Sequence, residues 1–507
     1  MPDLHALSHI LPRPREVQPQ GTGLVLSPRA SILHTGGEAA NAAVILREMI
    51  AREFALGLPL AECEALPDGA RVALTDGEAP AGPVPLASPP DDPEGYSLCV
   101  DASGAYLAAR THQGLLWAAA TLRQLLAPEG AGMRAPGVLI RDWPRYRWRG
   151  FMIDSGRSPN SLPKIKRIIR ICSAFKLNTL VFREGDDELN AVRYRSNPLG
   201  SENRHALTME QVLEMIGYAR ERGISVVPEI ESLGHSTAKG LHYPHLVSGG
   251  FEHDYGFVSH IRKSHLNPGD SESYALLRSI YEEWLALIPE PMLHLGLDEV
   301  RLPAEEQAEH MEGLLALLDC LPRPVTPIVW SDAPATPPAW RSRTVRCLWN
   351  YGDGAPNTPD NPHLVKQGAP GLLSGESDEP VWMAGGSGSL HTPNSKSGYG
   401  QAVENLLSWA RWGENSPNAS GLLAVQWSGN ATDDWLPDFL TAADFGWNVP
   451  AGVVSAPDQL ARVRACLSRL GDAVSPHPSE VDPPCWDGIW LDGADWGADI
   501  LSGRTKS

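Results

Sequence analysis

The stretch MLHLGLDEV, residues 292–300, is an apolar, strand-like run that ends in two adjacent carboxylates, Asp298 and Glu299. Seven more short apolar runs share its shape: GFMIDSG (150–156), LNTLVFRE (177–184), ISVVPEIE (224–231), TPIVWSDA (326–333), TVRCLWN (344–350), GLLSGE (371–376) and GLLAVQWSG (421–429). Most are separated by amphipathic stretches at helical spacing, around 162–175, 208–222, 272–288, 303–319, 401–413 and 435–446. Eight strands alternating with helices over roughly 300 residues predict a (β/α)8 TIM barrel of the α/β class. The rival, an open doubly wound sheet, would carry a glycine fingerprint after its first strand, and none is there.

On either side of this repeat the pattern changes. YSLCVDASGAYLAAR (96–110) is two alternating runs about a turn, a hairpin signal, and THQGLLWAAATLRQLL (111–126) has helical periodicity. These predict a small α+β domain over 1–143, the catalytic barrel over 144–450, and a C-terminal helix with an extension packed on the barrel over 451–507.

Composition narrows the partners. The 507 residues carry a formal net charge of -19 and no basic run, so nucleic acid and an anionic membrane surface would be repelled. No stretch approaches the roughly 20 consecutive apolar residues of a membrane span. The opening MPDLHALSHILPRPREV has no basic segment followed by an apolar core, and the 7 cysteines are scattered without a C-x-x-C pair. The expectation is a soluble protein of the reducing cytoplasm with neither a disulfide framework nor a zinc site. Oligomeric state is left open.

In a barrel the polar residues that close each strand converge on one mouth. Here they are Asp154 and Arg157, Arg183 to Asp187, Glu229 to His235, Asp298 and Glu299, Trp330 and Asp332, Trp349, and Gln426 and Trp427. Many acids, few cations and several indoles suit a neutral polyhydroxylated ligand. Carboxylates accept from its hydroxyls, and indole faces cover its C–H surfaces.

Several of these blocks, in order, resemble glycoside hydrolase family 20, the β-N-acetylhexosaminidases. HLGLDE (294–299) is similar to that family's H-x-G-G-D-E, YARERGISVVPEIESLGHSTA (218–238) to its third-strand block, and RGFMIDSGRSP (149–159) to its first. The resemblance implies an exo-acting, retaining hydrolase for an amino-sugar glycan, in which the 2-acetamido oxygen of the substrate is the nucleophile. It implies no cofactor and no metal. Glu299 would protonate the leaving oxygen, and Asp298 would hold the acetamido N–H. Arg157 would bind the C3 and C4 hydroxyls, and Trp330, Trp349 and Trp427 would wall the acetamido pocket. Asp187 and Asp332 would join the sugar contacts, with His235 and Glu231 supporting the dyad from behind.

The chain also departs from the family. NTLVFREGDD (178–187) has Val181, Phe182 and Arg183 where His, Trp and His are usual. Glu231 stands where Asp is common, Leu297 replaces the second glycine of the dyad motif, and the usual Trp-x-Glu of the last strand is Trp427-Ser428-Gly429. A Gly/Ser-rich stretch, 384–400, follows the seventh strand. Such changes leave GlcNAc versus GalNAc open, and with it two other readings: a sugar-binding protein without catalysis, and a transglycosylase or hydrolase of an unusually decorated amino sugar.

Strand alternation makes one geometric demand. It puts His294, Gly296 and Asp298 on one face of MLHLGLDEV and Leu295 and Leu297 on the other. Glu299 would then point away from Asp298, so both acids can share one site only if the regular strand stops or bulges at Asp298. His294 is expected to fill the barrel.

Overall fold

The computed structural model describes residues 7, 9–63, 72–76, 86–248, 264–351, 357–386, 399–427 and 435–482. Eight parallel strands close into a barrel: β1 Trp148–Asp154, β2 Thr179–Arg183, β3 Ser225–Glu229, β4 Met292–His294, β5 Thr326–Trp330, β6 Val345–Trp349, β7 Val381–Gly385 and β8 Ala419–Ala424. The period-2 alternation of the sequence explains its two faces. Met152, Val181, Val227, Ile328, Cys347 and Leu423 fill the barrel interior. Their neighbours Phe151, Leu180, Val226, Val329, Leu348 and Leu422 pack outward with the surrounding helices.

The helices begin where capping residues place them. Ser161 accepts from the Lys164 N–H at the start of Leu162–Ala174, and Thr208 and Gln211 form a reciprocal capping box at Met209–Glu221. Asp270 caps Ser271–Leu285 through the Glu272 N–H.

Two sequence expectations need correction. The run GLLSGE is not the seventh strand: residues Ala369–Ser374 form a short helix, and the strand is the following Val381–Gly385. A six-residue apolar run does not distinguish a buried strand from a helical turn. Gly368 and Gly375, at φ 72° and 86°, bracket this one as a helix. The other correction concerns β4, whose regular pairing ends at His294, four residues before Asp298.

Ahead of the barrel stands a seven-stranded sheet in the order Glu16–Pro19, Val138–Asp142, Tyr96–Val100, Ala105–Ala109, Val72–Asp76, Ile32–His34, Leu60–Glu62. Helices Gly37–Phe54 and His112–Leu125 contribute to its core. Trp447, at the end of the last barrel helix Leu436–Trp447, is buried in that same core. Its indole donates to Asp142 Oδ1 at 2.8 Å, while Lys176 Nζ reaches Asp142 Oδ2 at 3.0 Å and the Tyr96 hydroxyl at 2.8 Å. A fully buried ion pair therefore ties the sheet to the barrel, supported by hydrogen bonds that satisfy its remaining atoms.

Candidate active site

Strand register builds the floor of the mouth. Asp154 of β1 is opposite Arg183 of β2, Arg183 is opposite Glu229 of β3, and Glu229 is opposite His294 of β4. These residues fall on the inward face, so three charged side chains and an imidazole form one layer inside the barrel. Arg183 Nη1 donates to Glu229 Oε1 at 2.5 Å, and its Nε donates to Asp186 Oδ2 at 2.8 Å. Its Nη2 reaches Asp186 Oδ2 and Glu231 Oε1, each at 2.6 Å.

Above this layer the chain leaves β4 in an unusual path. Leu295 N–H donates to Ile328 O at 2.8 Å and Gly296 O accepts from Trp330 N–H at 3.1 Å, so the segment still tracks β5. Gly296, Leu297 and Glu299 all have left-handed backbones, φ 69°, 74° and 53°. That path turns Glu299 back toward Asp298: His235 Nε2 lies 3.7 Å from Asp298 Oδ2 and 3.6 Å from Glu299 Oε2. The two adjacent acids thus share one site, by a turn that starts earlier than alternation required. His235 is itself at φ 46°, so backbone strain gathers around the dyad, as it does at many functional sites.

Leu297 joins the outer hydrophobic layer and stays out of the mouth. Its left-handed φ costs roughly 1–2 kcal/mol for a residue with a Cβ, which the smaller residue of the family pattern would avoid. Gly296 has no such latitude. A Cβ there would overlap the Glu231 carboxylate, which is itself fully buried. Gly296→Ala is expected to lower stability by about 2–4 kcal/mol, the sum of φ strain and overpacking, measured by chemical denaturation.

The dyad differs in exposure: Asp298 is buried, and Glu299 is open to solvent. Asp332 holds the Glu299 end, its Oδ2 accepting from the Glu299 N–H at 2.7 Å and its Oδ1 from the Trp349 indole at 2.9 Å. Asp332 edges onto solvent, but its carboxyl is crowded enough that desolvation, reinforced by the Asp298 charge, pushes it up to about 6. Asp187 sits behind the dyad. Oδ1 accepts from Thr237 N–H at 3.0 Å and Oγ1 at 2.6 Å, and Oδ2 lies 3.2 Å from His235 Nδ1. Asp187 is fully buried, so it reaches the mouth through His235.

Burial works against a charged His235, yet the Asp186 and Asp298 charges and hydrogen bonds to Asp186 and Asp187 carry it well above the usual imidazole range. Desolvation pushes Glu229 up to about 7, with Arg183 opposing the rise and Asp298 adding to it. Glu231 is driven well above the carboxylate range by burial and by Asp298. His294 goes the other way: burial and the Arg183 charge hold it well below the usual imidazole range, and its ring lies tilted against Trp330 at 4.5 Å while its Nδ1 accepts from Gly296 N–H at 3.2 Å.

The indoles line the other side. Trp330 donates to Glu229 Oε1 at 3.1 Å and lies 5.8 Å from Trp427. Trp349 stacks on Tyr351 at 5.6 Å, and Tyr351 is edge-on to Trp427 at 6.2 Å. Arg157 is nearly buried, with Nη2 3.1 Å from Asp186 Oδ2, Nη1 3.4 Å from Asp154 Oδ2 and its guanidinium 4.9 Å over the Trp427 ring. The structure thus joins Asp298, Glu299, His235, Asp187 and Asp332 directly, and links Glu231, Trp330, Trp427 and Arg157 through Arg183, Asp186 and Glu229. Residues 249–263, 387–398 and 428–434, which hold most of the Gly/Ser-rich stretch and the altered end of the last strand, lie outside the described residues.

Tyr351, Arg183, Asp186 and Glu229 had no assigned role in the sequence reading. Period-2 spacing was the available signal for the first, since 345, 347 and 349 already alternate inward. Among the described residues, Asp186, Asp187 and His235 form one group with metal-ligand spacing, and Glu229, Glu231 and Asp298 another. Arg183 pairs with members of both, so the balancing cation is already part of the chain.

A (β/α)8 barrel whose mouth joins a carboxylate pair to an indole wall has the groups that a polyhydroxylated ligand requires. Residues 146–320 match the catalytic domain of glycosyl hydrolase family 20, and residues 7–143 match domain 2 of the same family. The chain belongs to glycosyl hydrolase family 20. It is 33% identical over 235 residues to a β-hexosaminidase of Vibrio furnissii, a stretch covering 42% of this chain and 38% of that relative. It is 30% identical over 259 residues to a β-N-acetylhexosaminidase of Cellulomonas fimi, covering 48% and 52%. The chain therefore spans about half or less of the length of these relatives.

Two solved structures share its fold. The family 20 β-N-acetylhexosaminidase of Streptomyces coelicolor A3(2) superposes with a TM-score of 0.75 at 22% identity over 95% of this chain and 99% of its own. A mutant β-hexosaminidase of Streptomyces plicatus in complex with product GlcNAc does so with a TM-score of 0.74 at 21% identity, over 93% and 97%.

Proposed function

We propose that the protein is an exo-acting, retaining glycosidase that removes a terminal β-linked N-acetylhexosamine, GlcNAc or GalNAc, with the sugar's own acetamido oxygen as nucleophile. The carrying observation is the dyad. Asp298 and Glu299 are chain neighbours turned to one imidazole, His235, at 3.7 and 3.6 Å. An enzyme with a carboxylate nucleophile sets its acids roughly 5 Å apart across the anomeric carbon. Adjacent acids suit a different division of labour.

Asp298, buried beside His235, accepts the acetamido N–H and steadies the oxazolinium charge as the acetamido oxygen attacks the anomeric carbon. Glu299, open to solvent and fixed at its backbone by Asp332, delivers a proton to the departing oxygen and then takes one from water. Trp330, Trp349, Trp427 and Tyr351 provide aromatic faces for the acetamido methyl and the sugar ring. The relatives' names and the product complex of a structural neighbour support the amino sugar as ligand. We also place the protein in a reducing compartment, a reading supported by six described cysteines that are all free thiols.

The test is hydrolysis of aryl β-N-acetylglucosaminide and β-N-acetylgalactosaminide, with release of the free sugar. Binding without turnover on both would favour the sugar-binding reading, which the loss of the second-strand histidines motivates. Sugar transfer in preference to water, seen by product analysis with a competing acceptor, would favour a transglycosylase.

A further inference from the structure

We infer that Arg183 is a positioning residue of this site, the fixed cation that holds both the acids beneath the dyad and the indole wall; the inference rests on the proposed hydrolysis. Val181, two residues earlier on the same inward face, is apolar barrel filling, so the polar role at this end of β2 falls to one guanidinium.

Three lines of contact lead outward from it. Glu229 Oε1, which takes Nη1 at 2.5 Å, also accepts from the Trp330 indole at 3.1 Å. Asp186, gripped at 2.6 and 2.8 Å, lies 3.2 Å from His235 Nδ1, and His235 faces both acids of the dyad. Glu231, at 2.6 Å, packs on Gly296 two residues before Asp298. The guanidinium carbon meanwhile lies 5.1 Å from the centroid of the Trp427 ring. A rigid guanidinium donates to Asp186 and Glu229 while lying against Glu231 and the Trp427 ring, which an ammonium or an imidazole has neither the donors nor the shape to do.

The same geometry gives the longer Glu231 a purpose. Its extra methylene lets one carboxylate touch Arg183 on one side and Gly296 on the other. Arg183 and Glu231 thus act as one device beneath Gly296. Without the cation, Asp186, Glu229 and Glu231 would be buried acids short of a counter-charge, facing Asp154 from β1 and Asp298 from the turn after β4. Among the described residues, Arg157 and His235 are the basic groups left in contact with this cluster. Such a cluster takes up protons and spreads apart.

The experiment is a double-mutant cycle on an aryl β-N-acetylglucosaminide, with pH profiles. Arg183→Met should lower kcat/KM by about 100-fold or more and move the acidic limb of its pH profile upward, because loss of a positive charge raises nearby carboxylates. Glu231→Gln should lower kcat/KM by about tenfold, and the double variant should fall no lower than Arg183→Met alone. Additive losses, or an unmoved acidic limb, would overturn the inference. Should Arg183→Met not fold, Arg183→Lys keeps the charge without the fork: a loss of about tenfold or more is expected, and full activity would overturn it. An unsubstituted protein that hydrolyses nothing overturns the proposed function itself, which additivity alone would leave standing.

Discussion

Glu299→Gln is expected to lower kcat on a β-linked GlcNAc disaccharide by about 10²–10⁴-fold while KM stays within a few-fold, the range associated with losing a general acid. The substitution keeps the side chain's size and leaves the Glu299 N–H free to donate to Asp332 as before. Only the transferable proton is removed. A nitrophenyl leaving group, which departs with little protonation, should recover much of the bond-breaking step but not the attack of water, where Glu299 acts as base. Steady-state kinetics on the two substrates separate these steps. Ordinary turnover of the disaccharide by Glu299→Gln would exclude Glu299 as the acid.

The second large effect concerns the substrate. An aryl β-glucoside, which differs from the β-N-acetylglucosaminide by a hydroxyl in place of the acetamido group, is expected to be cleaved about 10⁴-fold less efficiently or worse. Well-oriented intramolecular nucleophiles reach effective molarities of roughly 10⁵–10⁸ M, and the glucoside has none to offer. Asp298 cannot supply the missing nucleophile if its position fits the acetamido N–H and not the anomeric carbon. Parallel measurement of kcat/KM on the two substrates decides the matter, and comparable values would rule out substrate assistance.

How much of this could be read from the chain follows from which physical signal each feature carries. The barrel was legible because its signal is redundant: alternation inside strands such as GFMID and LVF, helical spacing between them, and caps such as Ser161 and Thr208 all point one way. GLLSGE misled because six apolar residues carry too short a period to separate helix from strand. The dyad was legible as a pair, but its route was not. Alternation presumes extended backbone, and three left-handed residues among 296–299 broke that premise. Arg183 was visible as a departure from a motif, while its grip on Asp186, Glu229 and Glu231 depends on strand register and loop return, which bring together residues up to 48 positions apart. Asp187 next to Asp186 gave no hint that one acid serves the guanidinium and the other mainly His235 and Thr237.

The buried cluster of Lys176, Asp142, Tyr96 and Trp447 bears on whether the two parts of this architecture can stand apart. Trp447 leaves the last barrel helix to finish the hydrophobic core of the preceding sheet, and Lys176, between β1's helix and β2, finds its counter-charge on that sheet. Neither half is chemically complete alone: a barrel without its leading sheet would lose the carboxylate that pairs with Lys176, and the sheet without the barrel would have a hole the size of an indole. Separating the two parts would therefore expose buried surface on both, so the sheet and the barrel are expected to fold and persist together.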